Sequence, residues 1–228
     1  MDDVNTPNRR AVLRVAAVAA VSAAGATWMT LVTKPAGAAE TVSFEAAFAT
    51  FQRAAAGDEG AIDNAVTQFN GLAEADPSDP LLLAYSGAAT ALQARATLLP
   101  WKKMSYADDG LARIDKALAL LQPAHDTLLH RNTPTSLETR FVAANTFLGM
   151  PAMFNRGARG RSLLEQVLQS PQLATSPLPF RGTVWLRAGV AAAADNRPAD
   201  ARRWFEQVVA SGAPQAGTAQ AKLKELAS

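Results

Sequence analysis

Between Trp185 and Pro214 the spacing of large, small and helix-ending residues leaves little freedom in how the chain can fold. Trp185 is followed one helical turn later by Gly189, and Asp195-Asn196-Arg197-Pro198 then interrupts the helix. Ala201 and Phe205 recur at the same four-residue step beyond the break, and Pro214 closes the stretch. A weaker echo straddles two units: Ala65, Phe69 and Pro77 end one, and Leu83 with Gly87 opens the next. A glycine in such a place lets a second helix approach closely, and the bulky residues fill the space between neighbouring helix pairs. Hydrophobic residues make up 49% of the chain, much of it alanine, the best helix former, so an all-α fold is expected throughout.

This spacing resembles the tetratricopeptide (TPR) repeat, with its bulky residue, its glycine a turn later, its Ala and Phe on a second helix and its closing proline. The resemblance implies a TPR-like right-handed α-solenoid over residues 39–228, of about four antiparallel helix pairs plus a C-terminal capping helix. It also implies binding of protein or peptide segments in a groove lined by the first helix of each pair, without naming them. Ala65 and Ala201 lie 136 residues apart, four times a 34-residue period, although the units between them do not keep that period.

Taken in order, Phe44, Ala47, Phe48 and Phe51 form one apolar stripe, and Ile62, Ala65, Val66, Phe69 and Leu72 form the next after Gly57-Asp58-Glu59-Gly60. Asp79 is placed to cap a helix whose first turn holds Pro80 and which runs to about Thr97. Leu83 to Gly110 then spans 27 residues, where Trp185 to Ala201 spans 16, so about eleven residues are inserted. The expected insertion is a loop, Leu98 to Met104, with the partner helix starting near Ser105 and Asp108-Asp109 in its first turn. A third pair is expected over 135–149 and a helix carrying Leu163, Leu164, Val167 and Leu168, joined by a loop at 150–157. The stretch from Gln215 to Leu226 reads as the polar cap that a solenoid end requires.

Residues 1–38 read as an export leader. Asn8-Arg9-Arg10-Ala11-Val12-Leu13-Arg14 resembles the twin-arginine pattern, with Asn for Ser/Thr, Val for Phe and Arg for Lys. Nineteen uncharged residues, Val15 to Thr33, follow, and Lys34-Pro35 leads to Ala36-Gly37-Ala38, a small-x-small cleavage site. Arg9, Arg10, Ala36 and Ala38 are thus the signal residues. Cleavage would release a periplasmic protein; retention of the nearly membrane-spanning run would anchor it to the inner membrane facing the periplasm, in contact with that membrane.

The charge divides in a way that bears on partners. The whole chain carries a net +2, and residues 1–38 carry all of it, with Arg9, Arg10, Arg14 and Lys34 against Asp2 and Asp3. The remainder is neutral, so bulk electrostatics gives no reason to invoke nucleic acid. Within it, residues 39–139 hold seven basic and thirteen acidic residues, a net of −6, and residues 140–228 hold eleven and five, a net of +6. The chain has no cysteine, which removes disulfides, thiolate catalysis and most zinc sites. His125 and His130, five apart, do not share a helical face, and no phosphate loop, nucleophile elbow or carboxylate pair is recognisable. No metal, cofactor or catalytic residue is expected, and the acids read as surface groups.

Two sets of candidate partner-binding residues remain. The first is a pair of expected loops, Trp101, Lys102, Lys103 and Met104, and Met153, Phe154 and Arg156, which would emerge on one edge of a stack about 10 Å apart. Aromatic and arginine side chains dominate binding hot spots, and the same residues could equally fold back as lids over the core. The second is the groove, with Arg140 and Arg187 on expected first helices, where planar guanidinium groups suit carboxylates or other anions. An adaptor or assembly factor for an envelope complex is the leading expectation. The alternatives are a solute- or lipid-binding accessory protein of an envelope transport system, which needs an enclosed pocket, and an enzyme, which needs converging acids or histidines.

Overall fold

The computed structural model describes residues 42–227, which fold into ten α-helices joined by short connections. The leader residues Arg9, Arg10, Ala36 and Ala38 lie outside the described residues. The helices are α1 (Phe44–Ala55), α2 (Ile62–Ala75), α3 (Pro80–Ala96), α4 (Pro100–Ala119), α5 (Thr135–Gly149), α6 (Gly157–Gln169), α7 (Pro171–Thr175), α8 (Leu178–Ala194), α9 (Pro198–Ala210) and α10 (Ala216–Glu225). The strands β1 (Leu129–His130) and β2 (Thr133–Pro134) pair antiparallel in a tight turn before α5, with Arg131 and Asn132 in the left-handed region. Among the described residues, no helix is long and apolar enough to cross a membrane.

Local chemistry sets the helix starts. Asp79 accepts hydrogen bonds from the backbone N–H groups of Leu81 (2.8 Å) and Leu82 (3.4 Å), and Pro80 occupies the first turn of α3. Ser43 caps α1 through Ala46, and prolines also open α4, α7 and α9, where a missing N–H costs nothing.

Packing then sorts the helices into consecutive hairpins: α1 with α2, α3 with α4, α5 with α6, and α8 with α9, with α10 against α9. Across hairpins, α3 meets α2 and α5, and α8 meets α5 and α6. The consequence shows in burial. Pro80 to Ala91 of α3 and Thr135 to Ala144 of α5 are buried on nearly all sides, whereas α4, α6 and α9 bury a single stripe each. Glycine permits the closest approach: a methyl group on Gly87 would stand 2.7 Å from the carbonyl oxygen of Gly110, so α3 and α4 cross backbone to backbone. At the other end Gly189 lies under the ring of Phe205, itself buried, so the second helix of that pair approaches closely, as expected of the glycine.

One expected boundary is wrong. Trp101 to Met104 do not form a loop; they are the first turn of α4, and Lys103 donates its backbone N–H to the Leu99 carbonyl at 3.0 Å. Pro100 carries a φ already suited to a helix, so it starts α4 five residues before Ser105. Asp108 and Asp109 consequently lie inside the helix rather than at its start. The additional residues lengthen two helices, and the true connection is Thr97 to Leu99.

Candidate functional site

The lengthened α3/α4 hairpin changes the geometry of the expected surface. Asp115, fourteen residues after Trp101 on α4, is ion-paired with Arg156 of the α5–α6 connection at 2.9 Å and also with Arg159 of α6. Fourteen residues of helix, about 21 Å, separate that ion pair from Trp101 along α4. On the opposite side, Asp63 at the start of α2 accepts a hydrogen bond from Gln93, three residues before α3 ends. The last turn of α3 and the first turn of α4 lie beyond that contact with α2. In place of two expected loops there is one exposed helical turn, at Trp101 to Met104, and one connection between α5 and α6.

Its members separate by chemistry as well. Leu98 is 91% exposed and Trp101 67% exposed, with Leu99, Lys102, Lys103 and Met104 also exposed, so none of this end serves as a core lid. On the second connection Met153 is exposed, but Phe154 is half-buried and packs against the main core. Arg156 is occupied by Asp115, and its guanidinium lies 5.3 Å from the centroid of the Phe147 ring. It acts as a brace between α4 and α5.

The arginines of the C-terminal half divide by helix. Arg156, Arg159, Arg161, Arg197 and Arg203, on second helices and connections, pair with Asp115, Asp195 or Asp200. Arg161, Arg197, Arg203 and Trp204 line a cleft of about 450 Å³ between α6, α8 and α9, with Asp195 and Glu165 supplying opposite charge. On the first helices, Arg140, Arg181 and Arg187 have no carboxylate partner. Arg187 donates one hydrogen bond, to the Asn145 carbonyl of α5 at 3.3 Å, while its buried Nε has no partner, and burial lowers its pKa from the usual guanidinium value. Arg140 lies on α5 five residues before Asn145 and is half-buried.

A polar cluster that spacing did not reveal sits where α1, α3 and α5 meet. Glu138 is 1% exposed; its Oε1 accepts the hydroxyl of Tyr85 at 2.6 Å and pairs with Arg131. The Arg131 guanidinium lies 3.4 Å from the centroid of the Phe48 ring, beside Phe44. Next to it His130 bonds Asp79 at 2.7 Å, so the α3 cap is also tied to the β1–β2 turn. Burial raises the Glu138 pKa against the opposing charge of Arg131, and raises that of Tyr85 further. The hydrogen bond from Asp79 raises the His130 pKa against burial. Burial alone would raise Asp79, but the His130 bond and charge and the two backbone N–H donors bring it below its usual value.

The expectation that the acids lie on the surface therefore fails at Glu138. One signal was legible: Glu138 stands three and four residues before Phe141 and Val142, on a face that must be buried. Its partners were not legible, because Tyr85 lies 53 residues away. Within the cluster Glu138 Oε2 and Arg131 Nε are buried without partners, whereas the other groups satisfy one another. Asp79 and His130 border a cleft of about 250 Å³ with Asp76, Ser78, His125 and Thr135. No group of three or more His, Cys, Asp or Glu side chains among the described residues is arranged to hold a metal. Compared with known protein families, curated proteins and solved structures, the chain matches none.

Proposed function

We propose that the protein is an exported adaptor, without catalytic activity of its own, that binds a protein or peptide segment on a TPR-like right-handed solenoid of four helical hairpins capped by α10. Support for the architecture comes from the hairpin order and from the glycine contacts between paired helices. Arg187 carries the functional reading. It is a half-buried guanidinium on a first helix, held by a single carbonyl and matched by no carboxylate. A desolvated guanidinium gains most from a bidentate carboxylate, so the segment bound there bears an aspartate, a glutamate or a free C-terminus. The test is capture of partners from the periplasm by tagged wild-type protein beside Arg187→Ala, with Arg202→Ala, an exposed position on α9, as control. A partner kept by wild type and Arg202→Ala but lost from an equally helical Arg187→Ala supports this reading. Equal capture by all three removes it.

A second reading has one observation in its favour. The cleft of about 250 Å³ beside Asp79 and His130 offers a concave site for a small solute, and Asp76 and Asp79 would favour a cationic one. Thermal stabilisation by small amines that disappears in Asp76→Ala supports it; its absence across such a set counts against it.

A further inference from the structure

We infer that the exposed end of the α3/α4 hairpin is a membrane-contact site, inserting Leu98, Leu99, Trp101 and Met104 into the interface of an anionic lipid bilayer. Trp101 and Met104, three residues apart, share one face of the first turn of α4, and Lys102 and Lys103 turn toward the other. Its apolar residues are exposed, and none of them lines either of the two clefts described above. A fluid interface needs no matching cavity. Tryptophan belongs at the boundary of hydrocarbon and headgroups, and lysines beside it reach the phosphates with their stems still in the apolar layer.

Charge points to the same occupant. From Pro80 to Ala107 the chain has no acidic residue, and Arg95, Lys102 and Lys103 are exposed and unpaired. This cluster sits on a half of the protein that is otherwise acidic, since residues 39–139 carry a net of −6 with the three cations included. Such a cation cluster favours a negatively charged surface, with Asp63 beside Gln93 and with Asp108 and Asp109 further along α4 as the acidic residues behind it. Arg95, Lys102 and Lys103 differ from other unpaired cations in flanking exposed apolar side chains, those of Leu98, Leu99, Trp101 and Met104. The site is independent of Arg187 and of the peptide it is proposed to bind.

The experiment uses the full chain and vesicles of phosphatidylcholine, with or without phosphatidylglycerol, carrying bromine on the acyl chains. Subtracting the emission of Trp101→Phe from that of wild type isolates Trp101 from Trp28, Trp185 and Trp204, so attachment through residues 15–33 does not count as support. The expected result is a blue shift and bromine quenching of the Trp101 component in phosphatidylglycerol vesicles, and neither in phosphatidylcholine alone. In Lys102→Ala/Lys103→Ala the lipid needed for half-maximal quenching rises about thirtyfold, about fivefold for each lysine. Trp101 emission unquenched in both vesicles, as when this end docks on a protein, overturns the proposal. Quenching equal in the two vesicles, or an unshifted midpoint in the lysine variant, overturns it as well. Trp101 is exposed enough that Trp101→Phe keeps the fold, and helical circular dichroism checks this.

Discussion

Tyr85, Glu138, Arg131, His130 and Asp79 are where single residues carry most. His130 contributes stability that is complete below about pH 6.5 and is lost as pH rises through its raised pKa. Asp79 contributes above its ordinary value, about 4, and loses that as pH falls through its lowered pKa. The pair therefore stabilises most between about pH 4 and about pH 6.5. Glu138, raised by burial, adds a loss that begins as pH rises above its ordinary value of about 4.5. Unfolding by urea as pH rises above about 6.5 should show stability falling, and His130→Gln should flatten that slope. At constant pH, Tyr85→Phe removes one of the two partners of a buried carboxylate oxygen and should cost about 1–3 kcal/mol in the same measurement. An unchanged midpoint would mean that Arg131 alone satisfies Glu138.

At the scale of elements, the α3/α4 crossing is the contact least able to give way, because backbone rather than side chain opposes any added atom. Gly87→Ala would place its methyl 2.7 Å from the Gly110 carbonyl oxygen and should destabilise by about 1–3 kcal/mol through forced separation of the helices. Gly217→Ala, on α10 with nothing within 4 Å of the added methyl, should instead stabilise by up to about 1 kcal/mol. Thermal melts of the two variants check both signs. The helix pairings follow the same logic: a close helix pair at Gly189 was readable from a four-residue step repeated on either side of Pro198, and the structure places Phe205 over that glycine. The start of α4 was not. Pro100 and the charged turn behind it suit a loop or a first helical turn equally, and the choice falls to whatever the helix packs against.

For the whole molecule, the expected export route has its own test. Arg9→Lys together with Arg10→Lys should hold the chain in the cytoplasm as a longer precursor, read by fractionation and immunoblot; normal export of that variant would remove the twin-arginine reading. The division of charge between acidic and basic halves also changes meaning once the chain is folded. Several arginines of the second half are spent internally, two of them on Asp115 from the first half. Among the cations with no carboxylate partner are Arg140, Arg181 and Arg187 on first helices and three at the end of the α3/α4 hairpin.

The sequence alone determined the all-helical class, the caps at Asp79 and Pro80, the break of the last hairpin at Pro198 and the approximate limits of α5 and α10. Each depends on interactions within a few residues or on periodicity along one helix, and such short-range preferences are written in local spacing. Only the tertiary structure decided that Trp101 sits in an exposed helical turn, that Phe205 lies over Gly189, that Arg156 is neutralised, and that Glu138 is buried against Tyr85. Those outcomes depend on which helix ends lie level with one another and which partners arrive from 41 or 53 residues away. A pairing at such a separation follows from the packing of every helix between its two residues, and no local pattern encodes it.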